Sequence, residues 1–232
     1  MSPQEKSSTS NTPELKGNLR SEAYDAFMSC LFRRELRLGR LMSQREIAEV
    51  TRCSLASIRE ALKRLEGEGI VELIPKRGVY LREVKKKEIA DAYEIRLMIE
   101  TKAVRVYAQN CDFQEVSRFR VATEAILART PQSQEEIAEI YNSRVKLDQQ
   151  LHHTIVSALD NDVITQIAQK IETTMLLARL TLPIQFFNEG PAFSEHLTLI
   201  DELEKHNVEG AVDALTEHLT RSCDRALRSA EF

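Results

Sequence analysis

Neither of the cysteine patterns that staple a small fold is present in this chain. The four cysteines, Cys30, Cys53, Cys111 and Cys223, are scattered without a C-x-x-C pair or a regular spacing. That excludes a disulfide framework and a zinc ribbon as expectations, and it fits a reducing cytoplasm. No apolar run approaches the roughly 18 residues that cross a bilayer, and the first residues lack a basic-then-apolar signal pattern. The expectation is a protein that stays where it is made, with no membrane partner. With only seven glycines in 232 residues, there is no Gly-rich phosphate loop, and no repeat occurs at a solenoid period. The remainder has an ordinary globular composition, 42% apolar, in a chain long enough for one large or two small cores.

A strong net charge is also missing. The total of −4 argues weakly against nucleic acid as a partner, but the distribution says more than the sum. Asn18 to Lys87 carries a net +6, Glu88 to Phe232 a net −10, and the first 17 residues balance. A basic module joined to an acidic one fits a DNA-binding head and a body that is not drawn to phosphate. Chance clustering of surface charge is the plainer alternative, and it needs the split to fall at a motif boundary by accident.

Residues 1–17, rich in Ser, Thr, Pro, Asn and Gln, read as a disordered tail. From Asn18 to Glu35, Ala23, Ala26, Phe27, Cys30 and Leu31 share one face of a first helix, and Gly39 ends the connection that follows. Next, Ser43 with Glu46 three residues on has the form of a capping box, so a helix is expected over Gln44 to about Thr51. Ser54 can cap a further helix on which Ile58, Leu62 and Leu65 fall at i, i+4, i+7 and face a core. The opposite stripe is Leu55, Arg59 and Lys63. Two short helices with a basic outer face on the second are what a helix-turn-helix lays in a DNA major groove. On spacing alone, a plain helical hairpin with a solvated charged face fits equally well.

Gly67 and Gly69 stop that helix, and Ile70 to Arg82 reads as a hairpin turning at Pro75, Lys76, Arg77 and Gly78. A helix-turn-helix followed by a basic-tipped hairpin is a winged helix, whose tip can reach phosphates or a minor groove. Over Ser43–Glu49 and Ser57–Leu81 the sequence resembles the amino-terminal domain of the GntR family of bacterial transcription regulators. That resemblance implies double-stranded DNA as partner. It places Arg45 and Arg59 at contacting positions, with Ser54, Ser57, Lys76, Arg77 and Gly78 at the helix start and wing tip that approach the backbone. Leu55 departs from the family, which commonly carries Arg there, so base preference is expected to differ at the pair it meets.

The charged segment Arg82 to Glu88 lacks apolar periodicity and marks a boundary, giving a head over 18–84 and a second domain over 85–232. Beyond it six helices are expected and no strand: about Glu88–Gln109, Phe113–Ala128, Gln134–Leu159, Val163–Leu182, Pro191–His206 and Val208–Ala230. The fold class is therefore mainly α, a winged helix-turn-helix followed by an antiparallel helical bundle. Asp148 and His152 are i, i+4 and project from one helix face, as a metal chelate requires. That pair alone is weak, since most such pairs are surface contacts or satisfied histidines. His196 and His218 stand on later helices, whereas His153 and His206 read as bystanders.

From Tyr93 to Leu219 the chain resembles the all-helical FCD effector domain on the FadR branch of the same family. The matching residues are Arg96 and Glu100, then Asp148, His152 and Asn161, then Glu195-His196 and His218-Leu219. Leu151 stands where the family usually has Phe, which removes no ligand. The resemblance implies a divalent ion on Asp148, His152, His196 and His218, with one or two positions open to water or a carboxylate. Zn, Ni or Mn all tolerate that donor set. It also implies a small organic acid as effector, with Arg96 and Asn161 as pocket residues, although Arg96 could serve only as an intrahelical partner of Glu100. The expected function is a homodimeric regulator, more often a repressor, on a pseudo-palindromic operator at the bacterial nucleoid. A regulator whose signal is the ion itself and a metal-dependent hydrolase are the alternatives. No general base stands out beside the ligands, and an enzyme has no use for a wing.

Overall fold

A computed structural model describes residues 13–181 and 190–229. The chain divides into two compact units, Met1–Leu81 and Arg82–Phe232. The expected boundary lay three residues later.

The first unit holds α1 (Pro13–Phe32), β1 (Leu41–Met42), α2 (Gln44–Thr51), α3 (Leu55–Gly67), β2 (Val71–Ile74) and β3 (Gly78–Leu81). Helix α1 begins before Asn18, because Pro13 suits a first helical position and Glu14, Leu15 and Lys16 are good helix formers. Of the expected tail, residues 1–12 lie outside the described residues. The capping box is formed: Ser43 N–H donates to Glu46 Oε2 at 2.6 Å, and Glu46 N–H to Ser43 Oγ at 3.2 Å. Helix α2 ends at Arg52 in the left-handed region (φ 56°), which turns the chain into Ser54. There Ser54 Oγ accepts from Ser57 N–H and opens α3. Phe27, Leu31, Ile47, Ile58, Leu62, Leu65, Val79 and Leu81 fill the core of this unit and are essentially inaccessible. Each such side chain stabilises the fold by roughly 1.5–3 kcal/mol relative to exposure.

The expected hairpin is β2–β3, and a third strand joins it. Strand β1 pairs antiparallel with β3, Leu41 opposite Tyr80 and Met42 opposite Val79, in the order β1-β3-β2. Two residues are too few to show an alternating pattern, so the sequence carried no signal for β1. The wing turn places Lys76 (φ 62°) and Gly78 (φ 133°) in conformations that side chains resist. A Cβ on Gly78 would meet the Met42 carbonyl oxygen at 2.5 Å, so only glycine lets β1 approach.

The second unit is helical throughout its described residues: α4 (Lys86–Asn110), α5 (Phe113–Leu127), α6 (Gln134–Ser157), α7 (Asp162–Thr181), α8 (Gly190–Glu204) and α9 (Val208–Ser229). Asp112 caps α5 and Ser133 caps α6 through their side-chain oxygens. Helix α4 runs through the middle and packs on α6, α7 and α9, while α8 lies against α5 and α9. The core is Val104, Ala108, Leu151, Ile155, Leu199, Ile200, Leu203, Leu215 and Leu219. Leu151, flagged for its departure from Phe, is fully buried in it.

Candidate metal centre and nucleic-acid interface

The i, i+4 spacing on α6 aims Asp148 and His152 the same way, and α8 and α9 bring His196 and His218 to meet them. One ligand atom from each lies within 4.8 Å of all the others, and all four residues are buried. His196 Nε2 stands 3.2 Å from His218 Nε2 and 3.5 Å from Asp148 Oδ1, and His152 Nε2 is 3.6 Å from the same oxygen. Sequence placed these four as candidates, and the fold converges them.

Carboxylates hold two of the imidazoles from behind. His152 Nδ1 lies 2.5 Å from Glu100 Oε2, and His218 Nδ1 3.0 Å from Glu195 Oε2. A ring N–H given to a carboxylate fixes the tautomer and turns Nε2 toward the centre, the usual outer support of a metal-binding histidine. Those carboxylates are braced in turn. Arg96 Nε donates to Glu100 Oε1 at 2.7 Å, and Arg225 grips both oxygens of Glu195 at 2.7 and 2.8 Å. Burial would raise both carboxyls, but Arg96 and His152 hold Glu100 down at about 2, and Arg225 and His218 do the same for Glu195. Asp148 is likewise kept well below the usual carboxylate range despite burial, by Arg179, whose Nη2 is 2.5 Å from Oδ2, and by the neighbouring imidazoles.

Burial and the neighbouring His218 push His196 well below the usual histidine range, and burial lowers His218 despite Glu195. Both therefore present neutral nitrogens, as a metal ligand requires. Burial lowers His152, but Glu100 and Asp148 together hold it above its ordinary value. Its Nε2 is buried and has no hydrogen-bond partner among the described residues. Leaving such an atom unsatisfied costs about 1–3 kcal/mol, and an ion among the four donors would satisfy it. The residues fit a divalent metal by donor chemistry and by the convergence of one ligand atom from each.

A narrow cleft of about 30 Å³ shares Asp148 and His152 with this cluster. Arg96 and Arg179 stand on its wall, with Ile99, Val156, Ile171 and Met175 as apolar lining. Arg96 pairs with Glu100 and also lines the cleft. Asn161 is a correction. Its Oδ1 accepts from Val163 and Ile164 N–H at 3.0 and 3.2 Å, capping α7 at an exposed end, and it does not line the cleft. The nine-residue offset from His152 carries the chain past the end of α6, so Asn161 cannot share that helix's inward face. Of the bystanders, His153 is exposed, and His206 Nδ1 lies 3.0 Å from the Ala108 carbonyl.

Arg179, Glu172 and Arg225 escaped the sequence reading. Glu172 and Arg179 were detectable as charges at stripe positions of α7, each four residues after an inward-facing residue, Ala168 and Met175. Which residues they meet depends on packing between helices, which one chain's periodicity does not encode.

In the first unit, Arg45, Leu55, Arg59, Lys76, Arg77 and Gly78 line one open groove between α3 and the wing. Arg59 Nε donates to Gln44 Oε1 at 3.0 Å, and both residues line that groove. Ser54 and Ser57, their hydroxyls 2.8 Å apart, sit at the start of α3. Lys63 lies outside the groove, on the solvent side, paired with Glu60 at 2.9 Å.

Among known proteins, the FCD domain family matches residues 91–221, and the family described as bacterial regulatory proteins, gntR family, matches residues 19–81. The Nta operon transcriptional regulator of Aminobacter aminovorans is 25% identical over 192 residues, 82% of this chain and 86% of that protein. The HTH-type transcriptional regulator LutR of Bacillus subtilis is 25% identical over 199 residues, 80% and 91% of the two chains. The "Probable D-xylose utilization operon transcriptional repressor" of Paenarthrobacter nicotinovorans is 25% identical over 205 residues, 86% and 84%. In fold, the chain is similar to E. coli McbR/YncC, with a TM-score of 0.70 at 18% identity, covering 90% of this chain and 97% of that one. A GntR regulator of Rhodococcus sp. RHA1 gives 0.69 at 21% identity, covering 95% and 99%.

Proposed function

The chain belongs to the gntR family of bacterial regulatory proteins, with an FCD domain behind its helix-turn-helix, and from that premise we propose that a small organic acid at a metal-containing pocket controls its affinity for an operator. It is a DNA-binding transcription regulator, and its relatives are regulators rather than enzymes. The observation that carries the effector reading is the shared wall. The cleft and the four-donor cluster have Asp148 and His152 in common, so whatever enters the cleft arrives beside the ion's ligands.

Asp148, His152, His196 and His218 would hold the ion, and a divalent ion there supplies a Lewis-acid anchor for a carboxylate. Zn, Ni and Mn all suit one carboxylate and three imidazoles. Arg96 and Arg179 also line the cleft, and guanidiniums bind carboxylates by paired N–H donors. Because the cluster joins α6, α8 and α9 and the cleft adds α4 and α7, an acid held there touches or braces five helices. Such a ligand biases a conformation to the extent that it binds one arrangement better than another.

For DNA, Arg59 is assigned to base edges in the major groove, with Arg45 and Leu55 beside it, and Lys76, Arg77 and Gly78 form the wing tip on the backbone. Ser54 and Ser57 present the start of α3 to phosphate, and Lys63 is a peripheral contact. One winged helix reads few base pairs, so the working unit is a homodimer on a pseudo-palindromic operator. Repression is the assigned direction, in keeping with the name of the Paenarthrobacter relative. A thermal-shift screen of small organic acids at constant metal tests the effector reading. Stabilisation by RT ln(1 + [L]/Kd) that disappears on chelation is expected. Stabilisation by metal alone, with no acid adding to it, would favour a sensor of the ion instead.

A further inference from the structure

The cleft has a further polar group that the metal reading leaves unused. Glu172 stands on its wall seven residues before Arg179 on α7. Seven residues are nearly two full turns, so both side chains leave the same helix face about 10 Å apart along the axis. Of the apolar lining on α7, Met175 falls between those levels, and Ala168 and Ile171 lie just before Glu172, with Ile99 and Val156 contributed by other helices.

The acids of the cleft differ in their partners. Glu100 is taken by Arg96 and His152, and Asp148 by Arg179. Glu172 is half-buried and has no hydrogen bond or ion pair among the described residues. Burial holds its carboxyl above the ordinary value, against the pull of His153, His152 and Arg96. A carboxylate partly removed from water without a donor is destabilising unless something arriving in the cleft supplies one.

We propose that Glu172 is the second anchor of the effector site, and that the effector is a short acid whose far end carries an ammonium group. This rests on the reading of the cleft as the effector site. The acid's carboxylate lies toward the cluster and the guanidiniums, its methylenes cross the apolar wall, and its ammonium donates to Glu172. A diacid would bring a second carboxylate against Glu172, so the same residue that attracts the amino acid rejects the diacid. Glu172 therefore sets the class of ligand, whereas the cluster sets only that it is an acid.

The test uses the full chain reconstituted with zinc, at fixed pH and salt, and titration calorimetry with three acids of one length. These are pentanoate, 4-aminobutanoate and glutarate, which end in methyl, ammonium and carboxylate, together with their one-carbon-longer homologues. In the native chain 4-aminobutanoate or its homologue is expected to bind at least about tenfold more tightly than the matching methyl and carboxylate acids. Glu172→Gln should remove that advantage and strengthen the diacid, while leaving pentanoate within about threefold, which shows that the site is still formed. The proposal is overturned if the diacid binds the native chain as well as the amino acid, or if Glu172→Gln shifts all three acids alike. Binding of acids without such discrimination defeats only the role of Glu172. If none of the acids binds, the cleft is not an acid site and the broader reading falls with it.

Discussion

The chemistry of the second unit turns on how single side chains are aimed. His152 and His218 each have a carboxylate behind the ring, so the nitrogen that faces the centre is set by Glu100 and Glu195 and not by the ring alone. Weakening that support without touching a ligand gives a sharp prediction. Glu195→Gln should lower zinc affinity about tenfold or more, read by competition with a coloured chelator. An unchanged affinity would mean that the imidazole needs no such support. At the other end of the chain, Arg59→Ala should weaken specific DNA binding by about 1–3 kcal/mol at fixed salt, and an unchanged titration would remove Arg59 from the base-reading face. Leu55 can touch a thymine methyl but cannot donate to guanine, so selection from a random DNA pool should shift toward guanine at one position for Leu55→Arg. Identical selected sites would place Leu55 off the bases. At this scale i, i+4 spacing marked Asp148 and His152 only weakly, and the resemblance to the FCD domain grouped them with His196 and His218. Asn161 was misread as a pocket residue, since being near His152 in sequence says nothing about facing it once α6 has ended.

At the scale of elements, the helices of the second unit were legible to within about two residues from their apolar stripes, whereas α1 begins five residues before the expected Asn18. Strand β1 was not legible. Its existence depends on β3 lying beside it and on Gly78 having no side chain, neither of which is a property of Leu41 and Met42. That dependence can be tested. Gly78→Ala combines a positive φ with a 2.5 Å approach to the Met42 carbonyl, so it should destabilise the first unit by about 1–3 kcal/mol. It should also weaken DNA binding while leaving metal stoichiometry unchanged. Equal melting of the first unit and equal DNA affinity would show that the wing tolerates the displacement of β1.

Over the whole molecule, the division of charge follows the division of structure. The first unit, Met1–Leu81, carries a net +3 and the second, Arg82–Phe232, a net −7, with the basic run Arg82–Lys87 falling at the start of the second. A head that binds phosphates should lose affinity steeply as salt rises, each neutralised phosphate adding close to one unit to the log–log slope. Two-fold operators call for two heads. Light scattering is therefore expected to give twice the 26.5 kDa protomer mass, and one protomer per operator would contradict the dimeric reading. The central claim is that the Asp148, His152, His196 and His218 cluster links the cleft to DNA affinity. Its most direct test is the affinity of metal-reconstituted protein for a selected operator, with and without a stabilising acid, in the native chain and in His152→Ala/His196→Ala. In the native chain the acid should change operator affinity by about 5- to 150-fold, the usual range of allosteric coupling. In the double variant, with helical content retained, basal DNA binding should persist and the acid's effect should vanish. A double variant that still responds to the acid as the native chain does would contradict the claim.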